Sequence, residues 1–264
     1  MSVKPKEKPS KRQLVKRMKR TNLDSALQEI YYGKVNLDST QTCECFCCKV
    51  AMPSMQFCEF TSIISHVWTK FGKEDKINLI CTSIEYFLKN ELEKFGIQTL
   101  VKPCMLLDRK TNLCRIYTKR PLSCRLFGLW PQDAYNARVE RFAKAYAPWG
   151  LSAGDLPLNS QCALVKRNDD SVPLTNNLIG DLYASLDKID KTIGNFSDLR
   201  ISQKENYRSF HDWLLLKVFG EPWLEAMTNF LMAATREQIE DLIRALRVEV
   251  AKNFESISGR MHDE

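Results

Sequence analysis

The sequence predicts a mainly α protein in which irregular, cysteine-rich metal-binding loops are packed against a helical bundle. Two observations support this prediction. Apolar residues recur at helical spacing over much of the chain, whereas the cysteines concentrate in stretches without a regular period. Four of the ten cysteines lie within Cys43–Cys48, and Cys104, Cys114 and Cys124 follow with nine residues between neighbours.

Residues 1–38 are predicted to form a basic, disordered tail and linker. Positions 1–20 contain nine lysines and arginines against Glu7 alone, so the remainder of a chain with net charge +7 sums to −1. Such a tail can contact nucleic acid without base specificity, or it can serve only as a solubilising extension. Within the linker, Leu23, Leu27 and Ile30 have the spacing of one or two amphipathic helical turns.

Two helices are predicted after the first cysteine cluster. Residues 59–71 have apolar positions at helical spacing, and a second helix is expected to start with Asp75 as its N-cap and to end at Gly96. Cys81 lies on the apolar face of the second helix and is predicted to be a core residue. Residues 97–131 contain three prolines and show no steady period, which predicts loops and turns.

The C-terminal half is predicted to be helical throughout, with candidate helices at 133–147, 178–193, 207–219, 222–234 and 236–254. Thr235 and Gln238 have the pattern of a capping box in front of the last helix. We therefore expect three parts: the tail and linker 1–38, a cysteine-cluster metal-binding domain 39–150, and a helical region 151–264 packed on it.

The cysteines are predicted to bind metal. No apolar run approaches the ~18 residues of a membrane helix and no N-terminal leader is evident, so we expect a cytoplasmic protein without a membrane span. In a reducing cytosol, clustered cysteines are more typical of metal ligands than of disulfide partners. The candidate ligands are Cys43, Cys45, Cys47, Cys48, Cys58, Cys104, Cys114 and Cys124.

The spacing of these thiols favours iron over a single structural zinc. Cys45 and Cys48 form the one CxxC pair, whereas a structural zinc usually has two separated pairs. Cys47 and Cys48 are adjacent, so their side chains tend to point apart and suit an extended cluster. The radical-SAM triplet is missing because Val50 stands where its third cysteine is needed. An iron–sulfur cluster or iron is the preferred cofactor, and zinc is the alternative.

Cations surround the downstream cysteines. Residues 101–125 contain seven lysines and arginines against Asp108 alone. They can offset the net negative charge of thiolates around a metal, or they can be solvated or bind an anionic ligand. His66 is predicted to have a packing role, with metal ligation as the alternative, and His262 is expected in a frayed tail. The residues predicted to surround the ligands are Arg115, Tyr117, Arg120 and Arg125.

The stretch from Pro103 to Phe127 resembles the YkgJ-like cysteine-cluster family, the zinc- or iron-chelating domain also called CxxCxxCC. The first cysteine cluster, CECFCC, is more compact than the pattern of that family, which leaves the role of Cys43 open. The resemblance covers roughly residues 40–131 and implies metal binding. The matching positions are Cys114, Ile116, Tyr117, Arg120, Pro121, Cys124, Arg125 and Phe127.

Three functions are compatible with these features. The preferred one is an iron–sulfur or iron protein that acts in redox chemistry or electron transfer with an unidentified protein partner. The second is a zinc-stabilised binding module that contacts nucleic acid or an acidic partner. The third is a metal-dependent group-transfer enzyme that modifies proteins. The sequence does not decide whether the protein is an enzyme and assigns no catalytic residue.

Overall fold

The computed structural model describes residues 22–33, 37, 48–49, 52–93, 103–127, 129, 131–147, 174–193 and 207–262. Helices dominate this part of the chain, which confirms the predicted mainly α class. Helix α1 spans residues 22–28 and continues into a π-helical turn at Glu29–Gly33. The other helices are α2 Phe57–Lys70, α3 Lys73–Glu93, α4 Leu122–Arg125, α5 Gln132–Tyr146, α6 Asn176–Ile193, α7 Phe210–Phe219, α8 Glu221–Leu231, α9 Arg236–Lys252 and α10 Phe254–His262.

Two small antiparallel sheets connect the helices. Strand β1 (Ser54–Gln56) pairs with β4 (Tyr207–Ser209), and β2 (Leu107–Asp108) pairs with β3 (Leu113–Cys114). The first sheet joins the start of α2 to the start of α7, which lies more than 150 residues later in the chain. The second sheet is a hairpin that carries one of the predicted ligands.

The helices pack around two hydrophobic clusters. The first contains buried side chains of α2, α3, α7 and α9, such as Ile63, Ile80 and Trp213. The second contains side chains of α1, α4 and α6, such as Leu27 and Leu186. Each cluster draws on residues from both sides of position 150. Helix α1 lies within the predicted linker, and its amphipathic turns are confirmed because Leu27 is buried in the second cluster.

Helices α2 and α3 begin earlier than the sequence pattern indicated. Helix α2 starts two residues before the predicted position 59, directly after β1. Helix α3 starts at Lys73, because the Lys76 amide already donates to the Gly72 carbonyl. The prediction that Asp75 is the N-cap is therefore wrong: the carboxylate lies in the first helical turn, where it interacts favourably with the helix dipole. The predicted end at Gly96 lies outside the described residues.

The C-terminal helices differ from the prediction in two places. Residues 207–209, predicted to be helical, form β4 because they pair with β1, and Ser209 then caps α7 by accepting a hydrogen bond from the Asp212 amide. The predicted last helix stops at Lys252, and α10 follows. His262 is therefore the final residue of a helix rather than part of a frayed tail.

The remaining predicted helices are confirmed within a few residues. The capping box in front of α9 is present, since the Gln238 side chain accepts from the Thr235 amide at 2.7 Å. Among the described residues, none of the helices is both long and apolar enough to span a membrane. Most of the tail, residues 1–21, lies outside the described part of the chain.

Candidate metal centre

The structure brings the end of the first cysteine cluster to two downstream cysteines. The carbonyl of Cys48 accepts a hydrogen bond of 2.6 Å from the Cys104 amide. The side chain of Cys48 is hydrogen-bonded to that of Cys114, which lies opposite Leu107 in the β2–β3 hairpin. The backbone of Cys48 therefore lies beside Cys104, and its side chain lies beside Cys114 of the downstream hairpin.

The turn of the hairpin fixes the relative position of Cys104 and Cys114. Asp108 Oδ1 accepts hydrogen bonds from the Lys110 amide at 2.8 Å and the Thr111 amide at 3.4 Å. Asn112 adopts φ 55°, a left-handed conformation that asparagine tolerates better than most residues. At the other end of the hairpin, Tyr86 of α3 donates to the Pro103 carbonyl at 2.7 Å. The hairpin is thus held at its turn and at its base.

The thiol of Cys114 ionises more easily than an ordinary cysteine. Its pKa is lowered to about 7, first by the hydrogen bond with the Cys48 side chain and then by the Ile116 amide and the charge of Arg120, against the opposing effect of burial. Metals bind the thiolate form of cysteine. The hydrogen bond with Cys48 therefore favours the form of Cys114 that binds metals.

Cys48 and Cys104 are shielded from water. Their exposed fractions are 7% and 5%, and both lie in the first hydrophobic cluster, with the partly buried Cys114 packed against it. Within the described ranges, no group of three His, Cys, Asp or Glu side chains is placed to hold a metal on its own. Cys43, Cys45, Cys47 and Cys162 lie outside those ranges.

Cys124 lies on the short helix α4, where its amide donates to the Pro121 carbonyl at 2.9 Å. Its side chain is neither fully buried nor exposed. The first residue of α4 belongs to the second hydrophobic cluster, so this predicted ligand lies on a different element from the hairpin cysteines.

Cys58 occupies different surroundings from the other predicted ligands. It is fully buried in the second hydrophobic cluster, with its sulfur 3.9 Å from the Leu186 carbonyl of α6. Burial raises the pKa of its thiol, and the nearby carboxylates of Asp190 and Glu59 raise it further. The structure therefore keeps Cys58 protonated and does not bring it to Cys48. Cys81 is buried in the first cluster, which confirms its predicted core position.

The cations predicted to surround the ligands have distinct partners. Arg115 forms a bidentate ion pair with Asp75 of α3, at 3.0 and 2.6 Å. Arg120 is buried, stacks on the Tyr117 ring at 3.8 Å and donates to the Tyr117 carbonyl. Of these cations, Arg120 is the one whose charge lowers the pKa of the Cys114 thiol.

Arg125 is a buried anchor between loop and helix. Its guanidinium donates to the Arg120 carbonyl at 2.9 Å, to the Thr118 carbonyl at 3.0 Å and to the Tyr32 hydroxyl at 2.8 Å. It also lies 4.4 Å from the centre of the Tyr31 ring. Arg125 therefore holds the π-helical turn after α1 against the loop that leads to Cys124.

Glu59 is a buried polar residue that the sequence pattern did not single out. Its carboxylate accepts hydrogen bonds from Tyr31, Leu122 and Gln56, although only 1% of the residue is exposed. The sequence feature that could have identified Glu59 is a glutamate between apolar residues, three positions after Gln56 at the start of a helix. His66 is partly exposed on the same helix, and burial, together with Lys119, lowers its pKa.

Residues 39–145 match the model of the CxxCxxCC family, described as a putative zinc- or iron-chelating domain. The matched segment is less than half of the chain and includes every predicted ligand from Cys43 to Cys124. The family resemblance inferred from the second cysteine motif is therefore confirmed, and metal binding is supported. Neither the curated proteins nor the solved structures gave a match to the chain.

Proposed function

We propose that this protein binds an iron–sulfur cluster or iron through its cysteines and acts in redox chemistry or electron transfer. The observation that carries the proposal is the contact of Cys48 with the downstream hairpin: its carbonyl accepts from the Cys104 amide, and its side chain is hydrogen-bonded to Cys114. Thiolates are soft donors that suit iron–sulfur clusters and zinc rather than calcium or magnesium. The match to a zinc- or iron-chelating domain supports the same class of ligand.

The chemistry of these cysteine side chains fits an iron–sulfur cluster or iron. The pKa of the Cys114 thiol is lowered, and Cys48 and Cys104 are buried, so a group bound here would be shielded from water. The remaining ligands in the proposal are Cys124 and the three other thiols of the first cluster. An iron–sulfur cluster, when bound, supplies one-electron transfer at a potential that hydrogen bonds and nearby charges adjust.

The residues around the thiols have their own roles in the proposal. Arg120 stabilises negative charge on the Cys114 thiolate. Two cysteines at the end of the first cluster are adjacent, which suits two corners of a cluster better than one zinc ion. We leave Cys58 out of the proposed ligand set, because its sulfur lies beside the Leu186 carbonyl of α6 and burial raises the pKa of its thiol.

The test is anaerobic purification of the full chain, followed by iron, zinc and acid-labile sulfide analysis and an absorption spectrum. We expect iron together with sulfide, and loss of both in Cys104→Ser and Cys114→Ser. Cys81→Ala is the matched control, since it removes a buried thiol from the same hydrophobic cluster. Cys58→Ala is also expected to retain the metal.

The alternatives give different results in the same experiment. Stoichiometric zinc without iron or sulfide would replace the redox proposal with the zinc-stabilised binding module. A colourless preparation free of both metals, which also fails to take up iron during anaerobic reconstitution, would exclude metal binding by these thiols. Loss of the metal in Cys58→Ala but not in Cys114→Ser would contradict the proposed ligand set.

A further inference from the structure

Helix α4, which carries Cys124, is anchored through the three residues around the cysteine. A helix of four residues is not stable by itself, because helix nucleation is unfavourable. The Leu122 amide donates to Glu59 Oε1 at 2.6 Å, and the Ser123 hydroxyl donates to the Ser54 carbonyl at 2.7 Å. The guanidinium of Arg125 donates to two carbonyls of the preceding loop. The orientation of Cys124 is therefore imposed by contacts outside α4.

Glu59 is the buried group at the centre of these contacts. Its Oε1 accepts from the Leu122 amide and the Tyr31 hydroxyl, both at 2.6 Å, and its Oε2 accepts from the Gln56 amide at 3.1 Å. Burial raises the pKa of the carboxyl, whereas these three hydrogen bonds lower it. Burial of a carboxylate is costly unless it accepts hydrogen bonds. The buried Glu59 carboxylate therefore depends on all three of its donors.

The same contacts hold α1, the helix that precedes the first cysteine cluster. Tyr31 of α1 donates to Glu59, and the neighbouring Tyr32 accepts from Arg125. Both tyrosine rings lie beside the Arg125 guanidinium, with centroids at 4.4 and 5.2 Å. Glu59 therefore connects the segment before Cys43–Cys48 to the turn that carries Cys124.

We propose that Glu59 is a positioning residue of the metal centre: it fixes the α4 turn so that Cys124 is presented as a ligand. This inference rests on the proposed metal-binding function and extends it to a residue that contacts no metal. Groups that orient ligands from outside the coordination sphere typically change metal affinity about 10- to 100-fold when mutated. Loss of Glu59 should therefore weaken metal binding by that factor.

The test uses Co²⁺ as a probe of the thiolate site. The metal-free full chain is titrated anaerobically with Co²⁺, whose thiolate charge-transfer absorption reports the number of bound sulfurs, and a competing chelator provides the affinity. The variants are Glu59→Ala, Glu59→Gln and, as the benchmark for loss of the ligand, Cys124→Ser. Asp190→Ala is the matched control, because Asp190 is also a buried carboxylate that caps α2, through the Cys58 amide at 2.6 Å.

The proposal predicts that Glu59→Ala binds Co²⁺ about 10- to 100-fold more weakly than the wild type, with less thiolate absorption, as in Cys124→Ser. Glu59→Gln keeps an oxygen for the Leu122 amide and should stay within about threefold of the wild type, as should Asp190→Ala. Equal weakening in Glu59→Ala and Asp190→Ala would overturn the proposal, because the effect would then come from a destabilised α2. An unchanged affinity in Glu59→Ala would overturn it as well.

Two further outcomes are separated by the same experiment. If far-UV circular dichroism shows that Glu59→Ala does not fold, Ser123→Ala loosens the same turn with Glu59 in place, and an unchanged affinity in that variant overturns the proposal. If the wild type shows no thiolate-to-cobalt absorption, the proposed metal function fails together with the inference. If the wild type binds Co²⁺ and Glu59→Ala binds it equally tightly, the inference about Glu59 fails while the proposed metal function stands.

Discussion

Asp190 should make the stability of the fold depend on pH. The residue is fully buried on α6, where it accepts a hydrogen bond of 2.6 Å from the Cys58 amide. Burial raises the pKa of its carboxyl from 3.8 to about 6, and the neighbouring Asp187 adds to this effect, while the bonds from Cys58 oppose it. The folded chain therefore retains a proton that the unfolded chain has already released.

The sign and the size of the effect follow from this difference. Between pH 3.8 and about 6 the folded state binds more protons than the unfolded state, so the free energy of unfolding decreases as pH rises through this window. At ~1.36 kcal/mol per pH unit, the difference corresponds to about 3 kcal/mol. The destabilisation by Asp190 is absent below its unfolded pKa of 3.8. It reaches its full size above its folded pKa of about 6.

The measurement compares the wild type with Asp190→Asn by urea unfolding, followed by tryptophan fluorescence, at several pH values between about 4 and 7.5, a range chosen to span both pKa values. Asparagine keeps an oxygen for the Cys58 amide but does not titrate. All other titratable groups are present in both proteins, so the difference between the two curves isolates Asp190. We expect the wild type to lose about 3 kcal/mol relative to the variant across the range. A difference that stays constant with pH, or that changes in the opposite direction, would refute the reasoning.

Three further substitutions test the anchors of the fold, each by the midpoint of urea unfolding in the metal-free chain. Arg125→Lys should lose about 2–4 kcal/mol, because an ammonium group cannot reproduce three donors in a fixed plane; wild-type stability would contradict the buried anchor. Trp213→Phe should cost about 1–3 kcal/mol, since the indole donates to the Met55 carbonyl at 3.0 Å in the core. Thr235→Ala should cost ~1 kcal/mol through loss of the α9 cap shared with Gln238, and a loss as large as that of Trp213→Phe would indicate an additional role.

The long helices were predictable because their apolar residues follow the helical period and are buried on one face. Helices α2, α6 and α9 lie within two residues of the predicted starts, and α9 also has the predicted capping box. Residues 207–209 were predicted wrongly because a three-residue strand has no period of its own to detect. Their strand conformation comes from pairing with β1.

The candidate site was predictable in its residue types but not in its grouping. Cysteine density and spacing indicated a thiolate site, yet Cys58 and Cys104 could not be distinguished by type or by clustering. The structure separates them, because Cys58 faces α6 in one hydrophobic cluster and Cys104 lies beside Cys48 in the other. The orienting role proposed for Glu59 had no counterpart in the thiol pattern, since its partners come from α1, β1 and α4.

The sequence by itself determined that the chain is mainly helical and that it contains a cysteine-rich segment similar to a zinc- or iron-chelating domain. Both properties depend on local information, namely the period of apolar residues and the spacing of thiols along the chain. Only the tertiary structure decided which cysteines meet, which arginines act on them and which carboxylates are buried. These properties depend on contacts between residues far apart in the sequence, such as Cys48 with Cys104 and Glu59 with Leu122.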